Sequence, residues 1–166
     1  MRYSIAILLL ISTSLATTHT LAQELKIKLT INNGHILTAT IVNNSSTAAL
    51  IELLKNNPIT IAMTDYGNME KVGPIGATLP RNDEQITTGP GDLILYQGTA
   101  LVIYYAPNSW NFTRLGKIDN ITQSELKSIL GEGNVPVTLE LANATAINEF
   151  QNDNRHIYRI HLEVLF

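Results

Sequence analysis
Tyr96, Tyr104, Tyr105, Trp110 and Phe112 crowd into one short stretch, and Arg114 follows directly. Large rings with polar tips suit the binding of a peptide or an aromatic ligand. Arg114 adds a planar, permanently charged donor for a carboxylate or a peptide carbonyl. An ion pair of Arg114 with Asp92 or Asp119 is the plainer reading. Upstream, Asp65, Tyr66 and Glu70 stand where a strand pattern gives way to an irregular one. Such junctions often carry binding groups. The residues read as candidate ligand contacts are therefore Tyr66, Glu70, Tyr96, Tyr105, Trp110 and Arg114, with Trp110 foremost as the chain's single tryptophan. Packing is the alternative use of each ring, and no catalytic group is assigned.

Other chemistries lack their residues. The chain has no cysteine, which removes disulfides, thiolate metal sites and cysteine nucleophiles. His35, His156 and His161 lack the spacing of metal ligands, so no metal is expected. Gly89-Pro90-Gly91 is followed by neither Lys-Ser/Thr nor a helix pattern, so it is no phosphate cradle. No Gly-x-Ser-x-Gly elbow occurs. No cofactor is expected. The formal charge is −3, and the basic residues are scattered, which argues against a nucleic-acid partner.

The elements that must position these groups are mostly strands. Leu25, Ile27, Leu29 and Ile31 alternate with polar residues, Asn33-Gly34 marks a hairpin, and Ile36 to Val42 returns. Ser45 or Ser46 is expected to cap a helix with Ala49, Leu50, Leu53 and Leu54 on its apolar stripe, and Asn56-Asn57-Pro58 stops it. A strand runs from Ile59 to near Tyr66. From Glu70 to Asp92 the glycines and prolines leave no regular pattern, and Arg81 to Glu84 reads as a polar loop tip or a flap. Leu93 to Gln97 and Ala100 to Ala106 form a hairpin about Gly98-Thr99, followed by a short strand from Trp110 to Thr113. Thr122-Gln123-Ser124-Glu125 is a capping box, and Gly131 is placed to end that helix. Val135 to Leu141 is a strand, Ala144 to Phe150 a weak helix pattern, and Ile157 to Leu165 a final strand. Helices interrupt a mainly antiparallel sheet, which predicts a mainly β fold: a closed or nearly closed barrel plugged by helices.

The N-terminus carries an address. Arg2, then the apolar run Ile5 to Ile11, then Thr20-Leu21-Ala22 read as a signal peptide over residues 1–22, with the barrel domain over 23–166. The run is short for a bilayer span, so no stable membrane insertion is expected after cleavage. An exported, cysteine-free, mildly acidic chain fits a bacterial envelope, secreted or periplasmic. A monomer or weak dimer is expected.

Three ordered blocks carry a family resemblance: Thr64-Asp65-Tyr66-Gly67, Gly91-Asp92-Leu93-Ile94-Leu95-Tyr96, and Trp110 through Ile118. They resemble the bacterial cyclophilin-like fold proteins from about Leu25 to Leu141. The resemblance implies a closed eight-stranded barrel with two capping helices. It does not carry prolyl isomerase activity with it. Cyclophilin isomerases share an arginine followed by Phe five residues later and Gln eight later. Arg81 is followed at those offsets by Ile86 and Gly89, and Arg114 by Asp119 and Thr122. The expected function is thus a small-molecule or extended-peptide binding module. The alternative is a divergent peptidyl-prolyl isomerase acting on exported proteins.

Overall fold
The computed structural model describes residues 24–31 and 34–142. The expected signal segment, the helix at Ala144 to Phe150 and the strand at Ile157 to Leu165 lie outside them, as do His156 and His161. Nine strands and two helices follow in the order β1 Lys26–Ile31, β2 Ile36–Ile41, α1 Ser45–Asn56, β3 Ile59–Tyr66, β4 Glu70–Pro74, β5 Glu84–Thr87, β6 Asp92–Tyr96, β7 Ala100–Tyr104, β8 Ser109–Ile118, α2 Gln123–Leu130 and β9 Val135–Leu141.

Eight strands close an antiparallel barrel in the order β2, β1, β9, β3, β4, β7, β6, β8, and β8 returns to β2. β5 lies outside the ring, paired to the first half of β8. The alternation read in β1 is the inside–outside alternation of the barrel: Ile27, Leu29 and Ile31 are fully buried in the lumen. Ile61 and Met63 of β3, Leu101 and Ile103 of β7, and Val137 and Leu139 of β9 meet them there. Leu50 and Leu54 of α1 and Leu126 and Leu130 of α2 join the same core, so the helices cap it.

Closure depends on two glycines. A Cβ on Gly116 of β8 would come within 2.4 Å of the Thr40 carbonyl oxygen and 2.9 Å of Ile41 Cα. Only a bare backbone lets β8 reach β2 and seal the ring. Gly73 of β4 meets Ala62 of β3 in the same way, at 2.6 Å.

Four local expectations are corrected. Asn44, not Ser45 or Ser46, caps α1: its side chain accepts the Thr47 amide at 2.9 Å. Ser46 instead donates to the Pro80 carbonyl and anchors the loop between β4 and β5. The stretch from Glu70 to Asp92 holds two strands, because Gly73 serves close strand packing instead of breaking a strand. The strand begun at Trp110 runs through Ile118, carried past Gly116 by its contact with β2. The β6–β7 turn centres on Gln97 and Gly98, both at positive φ, one residue earlier than read. The capping box of α2 and its end at Gly131 stand as expected.

Candidate functional site
Directly paired residues in a ladder share a face. Tyr66 opposes Glu70, Glu70 opposes Tyr104, Val72 opposes Val102, and Ile94 opposes both Val102 and Arg114. That face is the outside of one barrel wall. Tyr96, two residues beyond Ile94, points the same way. On β8 a bulge keeps Leu115 in the lumen while turning Arg114 outward, and Phe112 and Trp110 follow at period two. Five of the six candidate residues therefore share the outer wall: Tyr66, Glu70, Tyr96, Trp110 and Arg114. Tyr105 faces the lumen, on the opposite side from Tyr104.

The middle of the wall is filled. Ile94, Val102, Tyr104 and Phe112 are buried as a second apolar cluster, with Met69, Val72 and Ile86 packed against them. Ile86 belongs to β5, so the β5–β8 ribbon folds back over the wall. Tyr104 and Phe112 meet as tilted rings 5.6 Å apart. What stays open lies around this cluster: Tyr66 is 65% exposed, Tyr96 41% and Trp110 63%. The three rings do not converge on one pocket, since Tyr66 ends β3 and Tyr96 ends β6, with β4 and β7 between them.

Charges on the wall are already engaged. Arg114 donates to Asp92 at 3.0 Å, one of the two partners foreseen, and Asp119 binds Lys26 at 2.8 Å instead. Asp92 also accepts the Gly89 amide at 2.8 Å. Glu70 is buried beside Tyr104. Burial pushes its carboxyl above the usual range, against the Tyr104 hydroxyl that bonds it. Burial and the Glu70 bond drive the Tyr104 phenol far upward, and Asn108 donates to that phenol at 3.2 Å.

At one mouth of the barrel lies a different constellation. Asp65 and Lys71 are cross-strand partners on the lumen side. The fully buried Lys71 ammonium donates to Asp65 Oδ2 and to the Gly133 carbonyl, each at 2.8 Å. The Tyr105 hydroxyl donates to both Asp65 oxygens at 2.9–3.0 Å. Burial presses the Asp65 carboxyl upward, but Lys71 and Tyr105 outweigh it and hold it below the ordinary carboxylate range. Burial and the Asp65 bond push Tyr105 up to about 12. In front of this trio opens a cleft of about 610 Å³, lined by Asp65, Asn68, Ser124, Lys127 and Glu132 among others. Lys127 bonds Asn68 at 2.9 Å and sits 5.8 Å from the centre of the Tyr105 ring. Lys71 and the cleft went unread in the sequence. The signal was there: Asp65 continues the inward parity of Ile61 and Met63, and Tyr105 that of Leu101 and Ile103.

Comparison with known proteins agrees with this architecture. The Cyclophilin-like family matches residues 17–140. The chain belongs to the cyclophilin-like family. A hypothetical protein from Archaeoglobus fulgidus, known from its solution structure, shares the fold at a TM-score of 0.53 and 14% identity, over 75% of this chain and 100% of that one. No curated protein matches the chain in sequence. Among the described residues of this cyclophilin-like domain, no group of three or more His, Asp or Glu side chains is placed to hold a metal ion. No helix among them is long and apolar enough to cross a membrane.

Proposed function
We propose that this domain is an exported binding module that holds an extended peptide on the outer wall of its barrel and does not isomerise prolyl bonds. The observation that carries the reading is the exposure of Tyr66, Tyr96 and Trp110 on that wall. They are three of the four large apolar side chains left exposed among the described residues. Aromatic rings supply contact area at low entropic cost, which suits recognition of an extended chain. Export rests on Arg2 and the apolar run from Ile5 to Ile11, and assigns the mature domain to a bacterial envelope. A monomer or weak dimer fits this role.

The arginines argue against catalysis. The cyclophilin route to a lower prolyl rotation barrier uses a guanidinium free to reach the amide nitrogen, where it weakens the partial double bond that sets the barrier. Among the described residues only Arg81 and Arg114 carry one, and each is held by a carboxylate, Asp83 and Asp92 respectively. The test is an isomerisation assay on a proline tetrapeptide. The expected rate is the uncatalysed one. Catalysis that disappears on Arg114→Ala would establish the divergent isomerase instead.

A small-molecule ligand has its own observation behind it, the cleft of about 610 Å³ beside Asp65 and Lys127. A ligand whose binding survives Trp110→Ala and fails on Lys127→Ala belongs to that cleft.

A further inference from the structure
Each barrel strand has a neighbour on both sides. Among the described residues β5 is the exception, paired with β8 alone. The phase of that ladder decides which backbone groups of β5 are engaged. The Thr88 amide donates to the Asn108 carbonyl at 2.8 Å. In an antiparallel ladder the bonded phase recurs at every second residue. Ile86 opposite Trp110 and Glu84 opposite Phe112 share it. Gln85 and Thr87 fall in the other phase. The hydroxyls of Thr87 and Ser109, 2.8 Å apart, fit the closer side-chain approach of such a pair. The N–H and C=O groups of Gln85 and Thr87 therefore point away from β8. Both residues are exposed, and no described group outside the ladder bonds their backbone.

An open row of backbone donors and acceptors is complementary to an extended chain. We infer that the free edge of β5 docks an extended peptide as an added antiparallel strand. This rests on the peptide reading above and adds where the peptide lies and what holds it. Gln85 and Thr87 each offer one donor and one acceptor, spaced by two strand residues, or roughly 7 Å. Side chains set the sequence preference. Glu84, Ile86 and, across the ladder, Trp110 share one face by register. Glu84 is exposed and takes part in no ion pair among the described residues, whereas neighbouring Asp83 is held by Arg81 and Thr113. The peptide that fits carries a basic residue opposite Glu84 and an apolar one opposite Ile86, two positions apart.

The probe is the peptide acetyl-Val-Thr-Val-Thr-Lys-amide, whose antiparallel register sets Lys opposite Glu84 and the central Val opposite Ile86, compared with the same peptide N-methylated at its two Thr residues so that the edge facing β5 loses its donors. The full chain is titrated with each, following Trp110 emission and hydrogen exchange at the Gln85 and Thr87 amides. The expected result is an emission change, at least tenfold slower exchange at those two amides, and about tenfold or greater weakening on N-methylation. Thr87→Pro removes a donor that β8 does not use. It is expected to weaken binding with the circular dichroism spectrum unchanged. Binding with unprotected amides and no penalty for N-methylation overturns the edge site and leaves the wall reading standing. Absence of any binding sinks both. Amides already protected before peptide is added also overturn the inference, because the edge is then covered by the chain itself or by a second copy.

Discussion

Removing the Asp65 charge should cost far more than removing the Lys71 charge, although the two form one ion pair. Lys71 is fully buried, while the Asp65 side chain keeps 31% of its surface open to water. Asp65→Asn leaves an ammonium enclosed with only the Gly133 carbonyl and a neutral amide to accept from it. Stranding a buried charge costs about 3–5 kcal/mol, and the low end applies because asparagine retains one acceptor. Lys71→Met removes the enclosed charge and fills its space with apolar atoms. Asp65 then falls back on water and on the Tyr105 hydroxyl. That change should cost about 1 kcal/mol or less. Urea unfolding followed by circular dichroism separates the two. With a slope of about 1.5 kcal/mol per molar, Asp65→Asn should lower the midpoint by about 2 M and Lys71→Met by well under 1 M. The double variant should resemble Lys71→Met, not the sum of the singles. Acid offers an independent check. Because the folded carboxyl is held below its unfolded value, its contribution is complete above the ordinary carboxylate range, about pH 4. It fades as pH falls through the depressed folded value, and Asp65→Asn should lack that step. Equal costs for the two single variants, or a larger cost for Lys71→Met, would refute the reasoning.

Four other outcomes follow from particular positions. Gly116→Ala puts a Cβ 2.4 Å from the Thr40 carbonyl oxygen, so it should destabilise by about 3 kcal/mol or prevent folding. Gly34→Ala has open space around it and only a φ of +85° against it, and should cost about 1 kcal/mol on the same urea curve. Glu70→Gln should be neutral or stabilising by up to about 1 kcal/mol at pH 7, since burial raises the folded carboxyl and its ionised form carries a penalty there. That gain should vanish below pH 4, where both folded and unfolded carboxyls are protonated, and a gain persisting at pH 3 would contradict the cause. In an ultraviolet titration, Tyr105 should ionise only near pH 12, and Tyr105→Phe should delete that late step.

The barrel was legible because its strands bury one face. In β1, Ile27, Leu29 and Ile31 announce the lumen through period two, and the α2 capping box is a local chemical signature that needs no tertiary partner. β4 and β5 were illegible for the opposite reason. Glu70–Pro74 is stabilised by β3 and β7 on either side, and its Gly73 reads as a breaker until the Ala62 backbone beside it is known. Glu84–Thr87 carries no alternation of its own and is a strand because Ser109–Phe112 lies beside it. The candidate site divides similarly. Opposite facing of Tyr104 and Tyr105 follows from strand geometry alone, and the structure assigns them to the two clusters accordingly. That both would be buried does not follow, because the cover over Tyr104 includes Ile86, from a strand the sequence does not reveal.

That cover also bears on where a ligand can go. A barrel wall bearing Ile94, Val102, Tyr104 and Phe112 would, if bare, present a contiguous apolar patch of the kind that marks a binding groove. Here the chain supplies its own occupant. Ile86 and Met69 pack on those side chains, and the Asn82 amide donates to Thr113 at 2.8 Å while its side chain bonds Ser46 at 2.7 Å, tying the segment before β5 down to α1. Prising the ribbon off would expose the four buried side chains, at roughly 1.5–3 kcal/mol for each large one, so a flap that opens to admit a ligand is not the economical mechanism. The ribbon carries the accessible features outward instead. Trp110 stays exposed on the ribbon, on the face it shares with Ile86, and among the described residues the backbone groups of Gln85 and Thr87 along the ribbon's edge have no partner. On the peptide reading proposed above, recognition on this wall is displaced from the middle of the sheet to its added strand, and Trp110→Ala should abolish peptide binding while altering stability by no more than about 0.5 kcal/mol. A stability loss comparable to that of a core residue would mean that Trp110 serves the ribbon's packing, and the displacement argument would fail with it.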